Sequence, residues 1–291
     1  MEEKGDQLMA EGEKILKKFS LFSSNDDKAD KAHEKFLQAS TQYKAVENYK
    51  KASAAYQKAA EMSNKSKNEG DYMLETEEAG RLAAKAGDVA GAVSLMSKAV
   101  DLYDKKQKYQ NAGKVCAELG DLTEGKEAMK WLDQAVRYYK AQGSKVTAQE
   151  IVNKMADVKA RGGDYQGASE MYEKLGREAL EDPLARGGAR KLFFNALLAQ
   201  FAAMTPDNVM EGAGALEERF NEFQELDVQF NVHTREHMLI TAMIDAVLNE
   251  DIDGLEAAVA DFDNIVPLDA TRQKMILRAK AALRGRVNDL R

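Results

Sequence analysis

A ladder of small side chains recurs through the first half of the chain and limits the folds open to it. Alanine returns at spacings of 40, 36 and 40 residues, and a bulky apolar residue follows four positions later each time. The pairs are Ala52 with Tyr56, Ala92 with Met96, Ala128 with Leu132, and Ala168 with Tyr172. A unit of about 40 residues holds two helices and a turn, and the four-residue step keeps each pair on one helical face. The pattern predicts a stack of helical hairpins, an architecture whose broad surface usually binds protein.

The composition favours helix throughout. Only three prolines interrupt 291 residues rich in good helix formers, and no segment alternates apolar and polar residues at period two. We therefore expect an all-α protein with almost no strand.

Glycine followed by Asp or Ser marks the predicted turns, because Gly ends one helix and the polar residue caps the next. The predicted turns are Ala86-Gly87-Asp88, Leu119-Gly120-Asp121, Gln142-Gly143-Ser144 and Gly162-Gly163-Asp164. We also expect Asp26 or Asp27 to cap the helix that follows the first one.

The segment Glu181-Asp182-Pro183-Leu184 breaks the repeat register. We therefore expect a hairpin region over residues 1–182 and a C-terminal helical bundle over residues 183–291, which would cover the apolar end of the stack. The bundle helices are predicted around Phe193 to Leu198, Ala213–Phe223, Thr234–Leu248, Gly254–Phe262 and Ala270–Leu283.

The net charge of −7 hides a strong segregation along the chain. Residues 206–270 carry sixteen acids against two bases, whereas residues 271–291 carry seven bases against one acid. An acidic surface near the C-terminal end would repel nucleic acid and steer a basic protein partner. A solvated acidic helical face that binds nothing explains the same composition.

Motifs for catalysis are weak. His233-Thr234-Arg235-Glu236-His237 matches the inverted zinc-protease pattern H-x-x-E-H, but a catalytic zinc needs a third ligand, and a downstream acid such as Glu256 has no supporting motif. Neither a phosphate-binding loop nor a dinucleotide-binding glycine fingerprint occurs, and Cys116 is interpreted as a small core residue. We expect no cofactor, no metal and no enzymatic activity.

Bulky apolar residues follow lysines in one early loop. Lys14, Lys17 and Lys18 precede Phe19, Leu21 and Phe22. This arrangement suits contact with an anionic membrane surface, although packing of the loop against the first helices is an equal alternative. The N-terminus lacks an apolar signal-peptide core and no apolar run is long enough to span a bilayer. We therefore expect a cytoplasmic protein that associates peripherally with membranes.

The order of motifs in the last third resembles the soluble NSF attachment proteins, alpha type. The motifs are Thr234-Arg235-Glu236, Asn249-Glu250-Asp251-Ile252-Asp253, Asp261-Phe262-Asp263-Asn264, Met275-Ile276-Leu277-Arg278 and the chain end Asp289-Leu290-Arg291. Asp182-Pro183-Leu184 followed by Phe193-Phe194, and Asp164-Tyr165-Gln166 leading to Met171-Tyr172-Glu173, are also similar to that family. The resemblance implies a TPR-like helical-hairpin solenoid, a twisted sheet of antiparallel helices, with a C-terminal helical bundle.

The resemblance also implies a function and partners. Family members lie along a four-helix bundle of SNAREs, syntaxin-type proteins among them, after membrane fusion. They recruit the hexameric ATPase NSF and stimulate the ATP hydrolysis that unwinds the bundle, which supports vesicle-mediated transport. A generic TPR-like scaffold without an ATPase partner is the alternative.

Site residues follow from the resemblance position by position. The SNARE-binding positions are Lys108, Lys114 and Lys154. The membrane-contacting positions are Phe19, Leu21 and Phe22. The NSF-binding positions are Glu250, Asp251, Asp253 and Leu290.

Three departures from the family pattern stand out. Glu47 and Glu150 occupy positions where lysines align, the apolar loop is shorter and lacks the family's glycines, and Asp289 alone remains of the acidic cluster before Leu290. The two glutamates bear on the strength or register of contact with the bundle, and the shorter loop is expected to weaken membrane contact.

Overall fold

The computed structural model describes residues 1–17 and 25–289, and within them all regular secondary structure is helical, as predicted. Fourteen α-helices follow one another in these ranges, with a 3-10 turn at Arg186–Gly188 before the tenth. They are α1 (Glu2–Lys17), α2 (Asn25–Ala45), α3 (Tyr49–Lys65), α4 (Glu69–Lys85), α5 (Val89–Lys105), α6 (Tyr109–Leu122), α7 (Gly125–Ala141), α8 (Lys145–Arg161), α9 (Tyr165–Glu181), α10 (Ala189–Ala203), α11 (Val209–Leu226), α12 (Arg235–Leu248), α13 (Ile252–Asp263) and α14 (Ala270–Asp289).

The helices form two compact units, Met1–Ala148 and Gln149–Arg291. The predicted boundary at residue 182 coincides with the C-cap of α9, and as a domain boundary it stays a prediction.

In the first unit, consecutive helices from α1 to α7 pack against each other as hairpins. Ion pairs join alternate helices. Lys58 of α3 pairs with Glu13 of α1 at 2.7 Å, and Lys44 of α2 pairs with Glu78 of α4 at 3.1 Å. The unit therefore has two rows of helices, which is the helical-hairpin stack that the ladder predicts.

The ladder itself is buried. The four alanines at its small positions are fully inaccessible, and three of the four bulky partners are at most 2% exposed, namely Met96, Leu132 and Tyr172. These residues lie on α3, α5, α7 and α9, one helix of each hairpin. Small side chains at these positions allow neighbouring helices to approach closely.

Three of the predicted turns are confirmed and one is wrong. Gly87, Gly143 and Gly163 adopt positive φ between helices. Gly120 instead lies inside α6, where an added Cβ would come within 2.5 Å of Leu132. It is a packing glycine, and the turn follows later, with Gly125 at a φ of 54°. Asp26 and Asp27 both lie in the first turn of α2.

The second unit encloses a larger core. The helix α10 is buried on nearly all sides and packs against α9, α11, α12 and α14. Its aromatic residues stack with rings of later helices, Phe193 with Phe223 at 4.4 Å and Phe194 with Phe262 at 5.5 Å between centroids. The five helices predicted after Pro183 are thus present, with α10 at the centre of the other four.

Candidate functional site

A recurring turn sets the position of Lys108. In the first unit, Asn48, Asn68 and Asp88 each follow a residue with positive φ, and their side chains accept a backbone N–H from the next helix. Lys108 occupies the same place before α6, after Gln107 with a φ of 56°, but it makes no side-chain cap bond. A lysine cannot accept a hydrogen bond, and its cation opposes the positive end of the helix dipole. Helix stability therefore does not explain this residue.

Lys114 lies further along α6 on its exposed side. The acid one turn later, Glu118, is engaged by Arg81 of α4, with Nε–Oε2 and Nη2–Oε1 distances of 2.7 and 2.8 Å. Within the described residues, neither Lys108 nor Lys114 forms an ion pair. The structure thus places two lysines of the predicted SNARE-binding set on one helix of the first unit, both exposed to solvent.

Lys154 belongs to the second unit, on α8, where it is half-buried and makes internal interactions. Glu150 is exposed on the same helix, four residues earlier, a spacing that places both side chains on one face. Glu47 is exposed in the turn after α2, at a φ of 56°. Both acids that depart from the family pattern are therefore on the surface.

The acidic turn connects α12 to α13 in the second unit. Glu250 adopts a φ of 53°, and Asp251 is the N-cap of α13, where its Oδ1 accepts the Gly254 N–H at 2.9 Å. An added Cβ at Gly254 would come within 2.3 Å of the Asp251 carboxylate, so glycine permits this closure. Asp253 is exposed and forms no ion pair among the described residues. The three predicted NSF-binding acids lie together, but they differ in structural role.

The charge that is segregated along the sequence is brought together by folding. Bases of α14 pair with acids of α13 and of the turn before it. Lys280 and Arg284 both reach Glu256, the latter at 2.8 Å, and the Arg286 Nε lies 3.8 Å from Glu250. The Lys280 hydrogen bond is the main cause that lowers the pKa of Glu256. The acidic surface that remains is smaller than the sequence count suggests.

The zinc hypothesis does not fit the structure. His233 precedes α12 and is exposed, so the two histidines do not share a helical face. His237 packs on the Phe220 ring at 4.9 Å, and its ring nitrogens lie 3.0 Å from the Gln224 Oε1 and 3.4 Å from the Thr241 hydroxyl. Burial lowers the pKa of His237. Glu256, the third candidate ligand, is held by Lys280 and Arg284.

The buried Arg272 is a structural residue that the sequence analysis missed. From α14, its guanidinium pairs with Asp157 at 2.9 Å and donates to the Asn195 Oδ1 at 3.1 Å. It also lies 5.6 Å from the centre of the Tyr172 ring. One side chain therefore ties α14 to α8, α9 and α10, and no local sequence signal indicates this.

Phe19, Leu21, Phe22 and Leu290 lie outside the described residues, so their predicted contacts stay predictions. Among the helices that are described, none is long and apolar enough to cross a membrane.

Comparisons with known proteins cover nearly the whole chain. The family described as "Soluble NSF attachment protein, SNAP" matches residues 3–284. The chain is 27% identical to the alpha-soluble NSF attachment protein of Mus musculus, over 98% of this chain and 96% of that protein. It is 28% identical to the beta-soluble NSF attachment protein of Bos taurus, over 96% and 93% respectively. It is also 26% identical to the vesicular-fusion protein SEC17 of Komagataella phaffii, over 96% and 95%.

Proposed function

The chain belongs to the soluble NSF attachment protein family, and on that premise we propose that it is an adaptor that binds assembled SNARE complexes and recruits and stimulates the NSF ATPase. The observation that carries this function is the family match over residues 3–284, which leaves little room for an unrelated architecture. The adaptor serves SNARE disassembly in vesicle fusion and intracellular transport. The generic scaffold without an ATPase partner is not favoured.

The SNARE-binding residues are Lys108 and Lys114 in the first unit and Lys154 of α8 in the second unit. Support comes from the chemistry of the α6 start, because a lysine at an N-cap forgoes a bond that Asn or Asp would make. SNARE contact accounts for this cation if the bundle surface is acidic. Glu150 reduces the positive charge beside Lys154, so this chain grips the bundle less strongly there than a lysine-bearing relative would.

The NSF-binding surface is the turn at Glu250, Asp251 and Asp253, with Leu290 as a second contact. Asp253 supplies the charge that is free for a basic partner, while Asp251 combines its charge with capping of α13. Glu250 is near Arg286, so its charge is partly offset. The acidic surface attracts and binds NSF, and Leu290 stimulates ATP hydrolysis by NSF.

The apolar residues Phe19, Leu21 and Phe22 insert into the membrane interface beside the lysines of α1. The protein is therefore peripherally associated with membranes. The proposal also includes that it binds no nucleic acid and catalyses no reaction of its own.

The experiment that tests the adaptor function is co-sedimentation with NSF and a preassembled SNARE bundle. We expect the protein to bind the bundle and to retain NSF only when the bundle is present. Retention of neither partner would contradict the proposal. Binding to single SNAREs as strongly as to the bundle would favour the scaffold alternative.

A further inference from the structure

A groove opens between α12 and α13, at the end of this helix pair opposite to the acidic turn. It encloses about 200 Å³. Its lining is mainly apolar, and the apolar residues are Met238, Leu239, Ala242, Ala258 and Phe262. Ala242 and Ala258 leave the space open, because neither side chain extends beyond Cβ. Pockets for drug-sized ligands measure roughly 300–1,000 Å³, so this groove suits a single large apolar side chain.

Exposed apolar side chains are present on α12 and just after α13, the two helices that form the groove. Met238 is 48% exposed on one side, and Ile265 and Val266 are 55% and 40% exposed just after α13. A second depression shares Phe262 with the groove and has Val266 in its lining. Exposed apolar side chains beside two such depressions are typical of an interaction site.

Cations flank this apolar surface in the most acidic part of the chain. Residues 206–270 contain two bases, Arg219 and Arg235. Arg219 pairs with Glu173 at 3.0 Å, whereas Arg235, which lines the groove, forms no ion pair in the described part of the chain. Lys191 borders the second depression and likewise has no ion pair there.

The rim charges also give the groove an orientation. Arg235 stands on the α12 wall and Asp261 on the α13 wall, and Asp261 has no ion pair with any described residue either. A carboxylate next to an apolar anchor would be attracted to the α12 side and repelled from the α13 side.

We propose that this groove binds a segment of a partner protein. One large apolar side chain of the partner occupies the groove, and acidic residues of the partner next to that side chain lie towards Arg235. This surface is separate from the acidic turn proposed above to contact NSF, since it lies at the other end of α12 and α13. It gives the adaptor a further binding site, for a peptide segment in which acidic residues adjoin a large apolar side chain.

The test uses two blocked hexapeptides as probes, Asp-Glu-Leu-Phe-Ser-Gly and Lys-Arg-Leu-Phe-Ser-Gly, titrated into full-length protein carrying ¹³C-methyl methionine. The acidic peptide should shift the Met238 methyl resonance and leave that of the buried Met275 unchanged. The basic peptide should bind roughly threefold to tenfold more weakly, as expected for reversal of partly exposed charges.

Two variants and a control sharpen the result. Ala242→Trp fills the groove and should abolish the shift. Arg235→Glu, at the first residue of α12 where an acid is compatible with the helix dipole, should reverse the preference, so that the basic peptide binds more tightly than the acidic one. Arg278→Glu on the exposed side of α14 is the control and should bind like wild type. Equal shifts from both peptides in the wild type, or no shift up to millimolar concentration, would overturn the proposal, as would a shift that survives Ala242→Trp.

Discussion

Lys108 stands at the start of α6 in the position that Asp88 occupies at the start of α5. Both are N-cap residues, and each follows a residue with positive φ, Gln107 and Gly87 respectively. The Asp88 Oδ1 accepts the Gly91 N–H at 2.9 Å, but Lys108 offers no acceptor. The chain therefore gives up one helix cap and gains an exposed cation at the same place.

Replacing this lysine should have opposite effects on stability and binding. Lys108→Asn should restore the cap and raise the free energy of unfolding by about 1 kcal/mol, while weakening affinity for the SNARE bundle. Denaturant titration and bundle co-sedimentation measure the two quantities. Asn68→Ala is the control for the cap alone, since it should lower stability and leave bundle affinity unchanged. A stabilised Lys108→Asn protein with wild-type affinity would remove Lys108 from the binding surface.

Charge and capping can also be separated in the acidic turn. Asp251→Asn keeps the acceptor for the Gly254 N–H but loses the charge, whereas Asp251→Ala loses both and should cost about 1 kcal/mol of stability. Both variants, and Asp253→Lys, should weaken NSF recruitment by SNARE-bound protein, measured by pull-down. If only Asp251→Ala weakens recruitment, Asp251 contributes to NSF binding by holding the conformation of the turn and not through its charge.

The sequence predicted the hairpin stack well because its signals are local. Gly87 and Gly163 with their following aspartates identify turns directly, and the buried alanine ladder follows from helical periodicity. The turns at Glu47, Lys67 and Gln107 were missed because non-glycine residues adopt positive φ there, for which the sequence gives no sign. Gly120 was wrongly predicted to be in a turn. It is a glycine because only a small residue fits against Leu132 inside α6, and the sequence does not distinguish this use of glycine from a turn.

Long-range charge pairing was beyond sequence reasoning. The acids of α13 and the bases of α14 are separate blocks along the chain, and only the packing of these helices brings Glu256 to Arg284. The same holds for Arg272, whose partner Asp157 is more than 100 residues away. The acidic positions came from the resemblance and stay a prediction as a binding site, whereas their differing structural roles could be seen only in the fold.

The contact between half-buried His33 and buried Glu75 should make stability depend on pH. His33 Nε2 contacts Glu75 Oε1, and the Ser63 hydroxyl donates to Oε2 at 2.7 Å, so one carboxylate joins α2, α3 and α4. The hydrogen bond to Glu75 is the main cause that raises the pKa of His33; burial lowers it, and Asp71 and Asp30 raise it further. A raised pKa stabilises the fold fully below the unfolded-state pKa of about 6.5 and loses this contribution as pH rises through the folded value.

We therefore expect the stability difference between wild type and His33→Gln to shrink as pH rises from about 6 to about 9. Denaturant titrations at several pH values measure this difference. A Glu75→Gln background should remove the pH dependence. A difference that grows with pH would contradict the assigned protonation.

The apolar loop should matter on membranes only. Replacing Phe19, Leu21 and Phe22 with Ser removes apolar side chains worth about 1.5–3 kcal/mol each at most when fully buried. Disassembly of membrane-anchored bundles should slow much more than disassembly of soluble bundles. Equal slowing on both substrates would refute the membrane role and favour packing of the loop within the protein.

A substitution at Leu290 should affect the stimulation of NSF and not the binding of SNAREs. Leu290→Ala is expected to preserve helicity and SNARE binding while lowering NSF-dependent ATP hydrolysis, because the role proposed for Leu290 is the stimulation of NSF. Circular dichroism, bundle co-sedimentation and phosphate release measure the three quantities. Wild-type hydrolysis by this variant would end the assignment of Leu290.

The central claim is tested most directly by the rate at which NSF and ATP take apart a fluorescently labelled SNARE bundle when this protein is the sole adaptor. The account predicts rapid loss of energy transfer between the labels that requires NSF, ATP and this protein together, and that is strongly slowed by Lys108→Glu with Lys114→Glu. Disassembly at the rate seen without the protein would contradict the account.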